Sequence, residues 1–111
     1  MASIFSRIVS GEIPSHKVAE NDEFLAFLDA FPITKGHVLV IPKQETDYLF
    51  DLPDDVYARL FLFAKSLVPA LERTVKCTRV GLSVIGLEVP HVHVHLLPLN
   101  SMKDADFSKK I

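Results

Sequence analysis

The stretch PHVHVHLLP, residues 90–98, sets His91, His93 and His95 at every second position, with Val92, Val94 and Leu96 between and after them. β-Branched residues alternating with another type read as a strand, on which positions i, i+2 and i+4 share one face. The three imidazoles are therefore expected on one side of a sheet and the apolar side chains on the other. Cα atoms two apart along a strand lie roughly 6.5–7 Å apart, so neighbouring imidazoles reach a common ion or phosphate. A helix would scatter them.

Moving outward, RVGLSVIG (79–86) reads as the preceding strand, joined to the histidines by GLEVP (86–90). Before it, Val56, Leu60, Phe63, Ala64, Leu67, Val68, Leu71 and Val75 follow helical spacing behind an acidic start at Asp54 and Asp55, predicting a long helix from Pro53 to about Val75. Pro69 removes one backbone hydrogen bond inside that helix, so a kink or early end is expected there. GHVLVIP (36–42) alternates as another strand, and HKVAEN (16–21) with FLAFLDAF (24–31) predicts a hairpin about a polar turn at Asn21, Asp22 and Glu23. SIFSRIVSGE (3–12) predicts a short helix capped by Ser3 and stopped by Gly11. Five strands and one long helix without a βαβ rhythm predict an α+β fold, helix packed on antiparallel sheet.

The chain has 111 residues, 49% hydrophobic and 23% charged, with a formal charge of -2. That composition suits one soluble domain over 1–111 and gives no basic footprint for a nucleic acid polymer. No leader pattern and no membrane span is legible, so a cytoplasmic location is expected. Lone Cys77 cannot form an intrachain disulfide and is expected to be a small buried hydrophobe, while His16 on the hairpin is expected to be exposed.

Three chemistries compete for the histidines. They could be hydrogen-bonded fillers of a core, although three imidazoles on one face fill a core at high cost. They could chelate a metal with His37 as a further ligand, although no cysteine or His/carboxylate cluster stands at suitable spacing. Or a neutral imidazole could attack phosphorus while a second passes a proton and a glycine loop at Gly86 offers N–H groups to the oxygens. An ordinary pKa near 6.5 leaves much of the imidazole neutral and nucleophilic at physiological pH.

HVHVHLL matches the His-φ-His-φ-His-φ-φ signature of the histidine triad (HIT) family. FLAFLDAFPITKGHVLVIPK (24–43) resembles that family's other characteristic segment, and SIFSRIVSGEIPSHKV (3–18) looks like the N-terminal helix and first strand of its bacterial nucleotide-binding branch. The resemblance spans nearly the whole chain in order. It implies a HIT-like fold, a sheet continued across a homodimer, and a cofactor-free nucleotidyl hydrolase or transferase. The implied substrate is a nucleoside 5'-phosphoramidate or other substituted nucleoside phosphate.

By the same resemblance His93 would be the nucleophile that carries the nucleotidyl group, His95 would assist proton movement beside the phosphate, and His91 would hold the geometry of its neighbours. Asp29 would accept from the ribose hydroxyls; Phe5, Ile8, Phe27 and Leu28 would form the slot for the base; His37 would sit near the phosphate end. From the residues alone, Asp29 could instead cap its loop, and the apolar four and His37 could be plain core.

The chain also departs from the family. Many relatives carry Gly-Gln-Ser/Thr-Val before the triad, where this sequence has Gly86, Leu87, Glu88 and Val89, replacing two polar donors and adding a carboxylate that repels phosphate. Either Glu88 turns outward or the substrate preference differs. Ser83 is the nearest counterpart of an asparagine that relatives place on the preceding strand. Zinc-binding relatives carry Cys-x-x-Cys in the first helix and a histidine after IPK, where this chain has Ser3, Ser6 and Glu45, so structural zinc is expected to be absent and its stabilisation replaced by packing. A nucleotide-binding sensor with little turnover and a histidine-face metal protein stand as alternatives. DADFSKKI (104–111) reads as the start of another helix, with a further C-terminal element expected beyond it.

Overall fold

Two apolar layers, one on each face of a single sheet, hold most of the buried side chains. The computed structural model describes residues 2–109. Its strands are β1 (Lys17–Glu20), β2 (Phe24–Leu28), β3 (Val38–Pro42), β4 (Arg79–Ser83) and β5 (Val94–Leu99), preceded by helix α1 (Ile4–Val9) and with α2 (Asp54–Thr74) between β3 and β4. They pair antiparallel in the order β1-β2-β3-β5-β4. The α+β architecture expected from the sequence is the one observed.

Period-two alternation sorts the residues. Phe24, Ala26, Val38, Val40, Val92, Val94 and Leu96 face α2 and pack on Leu60 and Ala64. Leu25, Phe27, Leu39 and Ile41 face the other way, against Phe5 and Ile8 of α1. The parity covers residues 91–93 as well, although they precede the ladder: His91 N–H bonds Val89 O at 2.8 Å and Val92 N–H bonds Thr46 O at 2.7 Å. The regular strand therefore starts three residues later than the alternation suggests.

At the β1–β2 turn, Asn21 Oδ1 accepts from the N–H groups of Glu23 and Phe24, which fixes the hairpin. Strand β2 ends at Leu28, and one further in-register bond, Asp29 N–H to His37 O at 3.0 Å, closes the loop that follows. Helix α2 continues through Pro69 to Thr74, so the early end does not occur. Pro69 and Lys65, whose carbonyl loses its donor, are both exposed, and water can serve that carbonyl. Gly36, at φ 82°, lies against the end of α2, where an added Cβ would stand 2.7 Å from Val75 Cγ2.

Some local expectations need correction. Cys77 is half-buried rather than buried; His16 is exposed, as expected. A 3-10 turn at Leu49–Asp51 buries Leu49 and had no periodic signal. The C-terminal helical start falls earlier and is shorter than read, a 3-10 turn over Met102–Ala105 with a Ser101/Asp104 capping box. Residues 110 and 111 of that expected helix lie outside the described residues.

Candidate active site

A row of cross-strand partners builds the floor of the site. Phe27 pairs with Leu39, Leu39 with His95, and His95 with Ser83, so all four share the face that α1 partly covers. Above them lies a cavity of about 530 Å³, bordered by Phe5, Ile8, Asp29, His37, His93 and His95 among others. Its size is that of a small-molecule site.

Hydrogen bonds decide which nitrogen of each imidazole bears the proton. His93 Nδ1 lies 2.8 Å from His91 O, and a carbonyl only accepts, so Nδ1 carries the hydrogen and Nε2 keeps its lone pair. His91 Nε2 likewise donates to Pro42 O at 2.8 Å, leaving Nδ1 to accept from the Ser3 hydroxyl at 2.7 Å. Ile33 N–H donates to His37 Nδ1 at 3.2 Å, so His37 Nε2–H donates to His95 Nδ1 at 2.8 Å. Neutral His95 then bears its proton on Nε2. Neither His93 Nε2 nor His95 Nε2 bonds a protein group, and neither is sealed in: Thr34 Oγ1 is the one buried, partnerless side-chain polar atom among the described residues. A lone pair and an N–H thus face one cavity.

Burial, the largest cause, pushes His95 down to about 4, assisted by repulsion from His93 and His37 and opposed by Asp29. Burial also lowers His37 against the pull of Asp29, and lowers His91 against its bond to Pro42 O. These three imidazoles are therefore uncharged near neutral pH. Asp29 does cap its loop, with Oδ1 accepting from Phe31 N–H at 2.9 Å, while Oδ2 stands 3.5 Å from His37 Nε2.

Asp29, His37 and His95 present ligand atoms within 4.8 Å of one another, the His/carboxylate cluster that sequence spacing did not reveal. A metal-bound histidine normally donates its other N–H outward. Here the outer nitrogen of His37 receives a backbone N–H, which forces the proton of a neutral ring onto the nitrogen facing the cluster. The trio suits proton sharing rather than metal ligation.

Ser3, Ser6, Glu45 and His91 come together as a closed polar staple. Glu45 Oε1 accepts from Ser3 N–H and from the Ser6 hydroxyl, both at 2.7 Å, while Ser3 Oγ accepts from Ser6 N–H and donates to His91. The backbone bond from Ser3 and the hydroxyl of Ser6 hold the Glu45 carboxyl at about 2. Neutral hydroxyls already spent on each other do not fit zinc, which favours thiolate and imidazole ligands. Packing alone was expected in its place; hydrogen bonds fasten α1 to the triad instead.

Other predicted site residues divide cleanly. Phe5 lies edge-on to His93 with centroids 4.9 Å apart, and Phe27 lies edge-on to Phe5 at 5.8 Å. Gly86, at φ 73°, Leu87 and Glu88 border the cavity, Leu87 being 90% exposed. Glu88 is exposed and borders the cavity. Leu28 does not line the cavity: one residue beyond Phe27 on a strand, it points to the opposite face and is 41% exposed. Ser83 shares the face of His95 but lies on edge strand β4, outside the cavity lining. Phe107, which does line it, was missed because a single aromatic in a C-terminal loop carries no periodic signal.

The HIT domain matches residues 10–102. An uncharacterized HIT-like protein of Borreliella burgdorferi is 38% identical over 102 residues, covering 86% of this chain and 73% of that protein. Adenosine 5'-monophosphoramidase HNT1 of Saccharomyces cerevisiae is 38% identical over 103 residues, covering 92% and 65% respectively. The crystal structure of a HIT family member from Bacillus subtilis superposes with a TM-score of 0.87 at 31% identity, covering 96% of this chain and 79% of that one. With its paired sheet faces and its histidine row, this chain belongs to the HIT family.

Proposed function

We propose that this single-domain protein is a nucleotidyl hydrolase or transferase that cleaves nucleoside 5'-phosphoramidates, or other substituted nucleoside phosphates, through a covalent intermediate on His93. One observation carries the reading: the His91 carbonyl fixes the proton of His93 on Nδ1, so the Nε2 lone pair faces the cavity. His93 Nε2 attacks phosphorus and the bond to the leaving group breaks. The leaving amine takes its proton from solvent while His95 Nε2–H donates a hydrogen bond to the phosphoryl oxygens, and the water that later releases the nucleotide from His93 returns a proton to solvent. His37 sets the tautomer of His95 through their 2.8 Å bond. His91 braces the turn, and the staple holds Phe5 and Ile8 in place as the base slot with Phe27, while Asp29 Oδ2 accepts from the ribose. The phosphoramidase named among the yeast relatives supports this substrate class.

Glu88 favours a second reading. It borders the cavity with no hydrogen bond or ion pair among the described residues, so a phosphate there meets an uncompensated carboxylate. A nucleotide sensor with little turnover fits that feature. Hydrolysis of adenosine 5'-phosphoramidate, with a strong chelator present throughout, separates the two. Activity lost in His93→Ala supports the enzyme; nucleotide binding without turnover supports the sensor.

A homodimer fits the apolar surface left outside: Leu62 on α2 is 64% exposed and Leu82 on edge strand β4 is 49% exposed. Sedimentation velocity reads that state. No described helix is long and apolar enough to cross a membrane.

A further inference from the structure

The C-terminal arm, residues 100–109, contributes to neither apolar layer yet delivers one ring to the cavity. Asp104 pins its 3-10 turn by accepting from the N–H groups of Asn100 and Ser101 at 2.8 and 3.1 Å. Asp106 then accepts from the Ser108 N–H and hydroxyl, and between them Phe107 folds back over the histidines. Its ring centroid lies 4.8 Å from that of His95 at 78° and 6.4 Å from that of His37 at 84°. One aromatic thus makes edge contacts with both members of a hydrogen-bonded pair.

We propose that Phe107 is a positioning residue of this site: its ring covers the His37–His95 pair, keeps water from the shared proton, and so holds His95 in the uncharged tautomer whose Nε2–H faces the cavity. Water stabilises an imidazolium, and an apolar cover removes that stabilisation. The groups facing His95 leave this balance to the cover. His93 and His37 oppose a charge on it; Asp29 favours one, but has Oδ1 committed to Phe31 N–H. Strand β4 offers only the neutral Ser83, while Asp104 and Asp106 of the arm are committed to their own turns and Glu88 lies at the cavity wall.

Uncovering the pair has a definite consequence. A proton added to His95 Nδ1 would face the His37 Nε2–H across 2.8 Å, two donors with no acceptor between them. The bond that sets the His95 tautomer would be lost. The effect on turnover rests on the reaction proposed above; the effect on the histidine does not.

An NMR titration of the His95 ring in the full chain tests this, with Phe107→Ala, Phe107→Leu and a Ser101→Ala/Asp104→Ala variant that undoes the arm's capping box. In Phe107→Ala the midpoint rises by at least about one unit towards the ordinary imidazole value. Phe107→Leu, still an apolar cover, stays within a few tenths of wild type, and the cap variant moves in the direction of Phe107→Ala. Because the ring lies outside both apolar layers, a wild-type amide fingerprint is expected throughout. An unmoved midpoint in folded Phe107→Ala, or an equal displacement by leucine and alanine, overturns the proposal. The titration reads the same whether or not phosphoramidate is hydrolysed, so the two ideas fail separately.

Discussion

Ser3 Oγ lies 2.7 Å from His91 Nδ1, joining the start of the chain to the histidine row across 88 positions. The same hydroxyl caps α1 by accepting from Ser6 N–H. Ser3→Ala removes a helix cap and strands a buried imidazole nitrogen, so a loss of about 2 kcal/mol is expected. Urea denaturation measures it; a change under about 0.5 kcal/mol would mean that the staple adds nothing. Glu45→Gln should also destabilise, in the same direction, by weakening the acceptor that Ser3 and Ser6 share.

His37→Ala removes the donor that sets the His95 tautomer and leaves Ile33 N–H without its acceptor. The turnover number should fall about ten- to hundredfold while the Michaelis constant changes little, since His37 acts through His95 rather than on the base slot. Steady-state kinetics on the phosphoramidate decides it. Loss confined to the Michaelis constant would assign His37 to binding instead.

Acid should weaken the fold through the same imidazoles. His95 sits at about 4 when folded against an ordinary 6.5, with His37 and His91 displaced in the same direction. Between those values the unfolded chain binds more protons, so this contribution is complete above about 6.5 and is lost as pH falls towards 4. Glu45, held at about 2, adds a further loss below its ordinary 4.5. Urea midpoints should therefore drop between about pH 7.5 and pH 5; a flat profile would show that the histidines are as well solvated folded as unfolded.

Gly36→Ala should destabilise by about 2 kcal/mol, because a positive φ strains any side chain and the new Cβ meets Val75. The contact of 2.7 Å is too close to absorb without moving the end of α2. Thermal unfolding of the variant measures this. An unchanged midpoint would place slack at that junction.

What the sequence revealed follows from which interactions leave a local trace. Alternation told Val92 and Val94 from His91, His93 and His95, and the observed layers follow it even where ladder bonds are missing. The same rule, applied to Leu28, would have separated it from Phe27; grouping adjacent residues in one slot ignored the pleat. Pro69 marked a local cost, but exposure let the helix carry it. The Ser3–Glu45 bond, the Ser3–His91 bond and the Phe107–His95 contact join distant positions through side-chain geometry, which no spacing encodes.

The central claim is that His93 carries the nucleotide. Its most direct test is the stereochemistry of hydrolysis of an adenosine 5'-thiophosphoramidate of single configuration at phosphorus, in oxygen-18 water. Each in-line displacement inverts phosphorus, so attack by His93 followed by attack by water predicts net retention. Net inversion would mean that water displaces the leaving group directly, and would contradict the covalent role of His93.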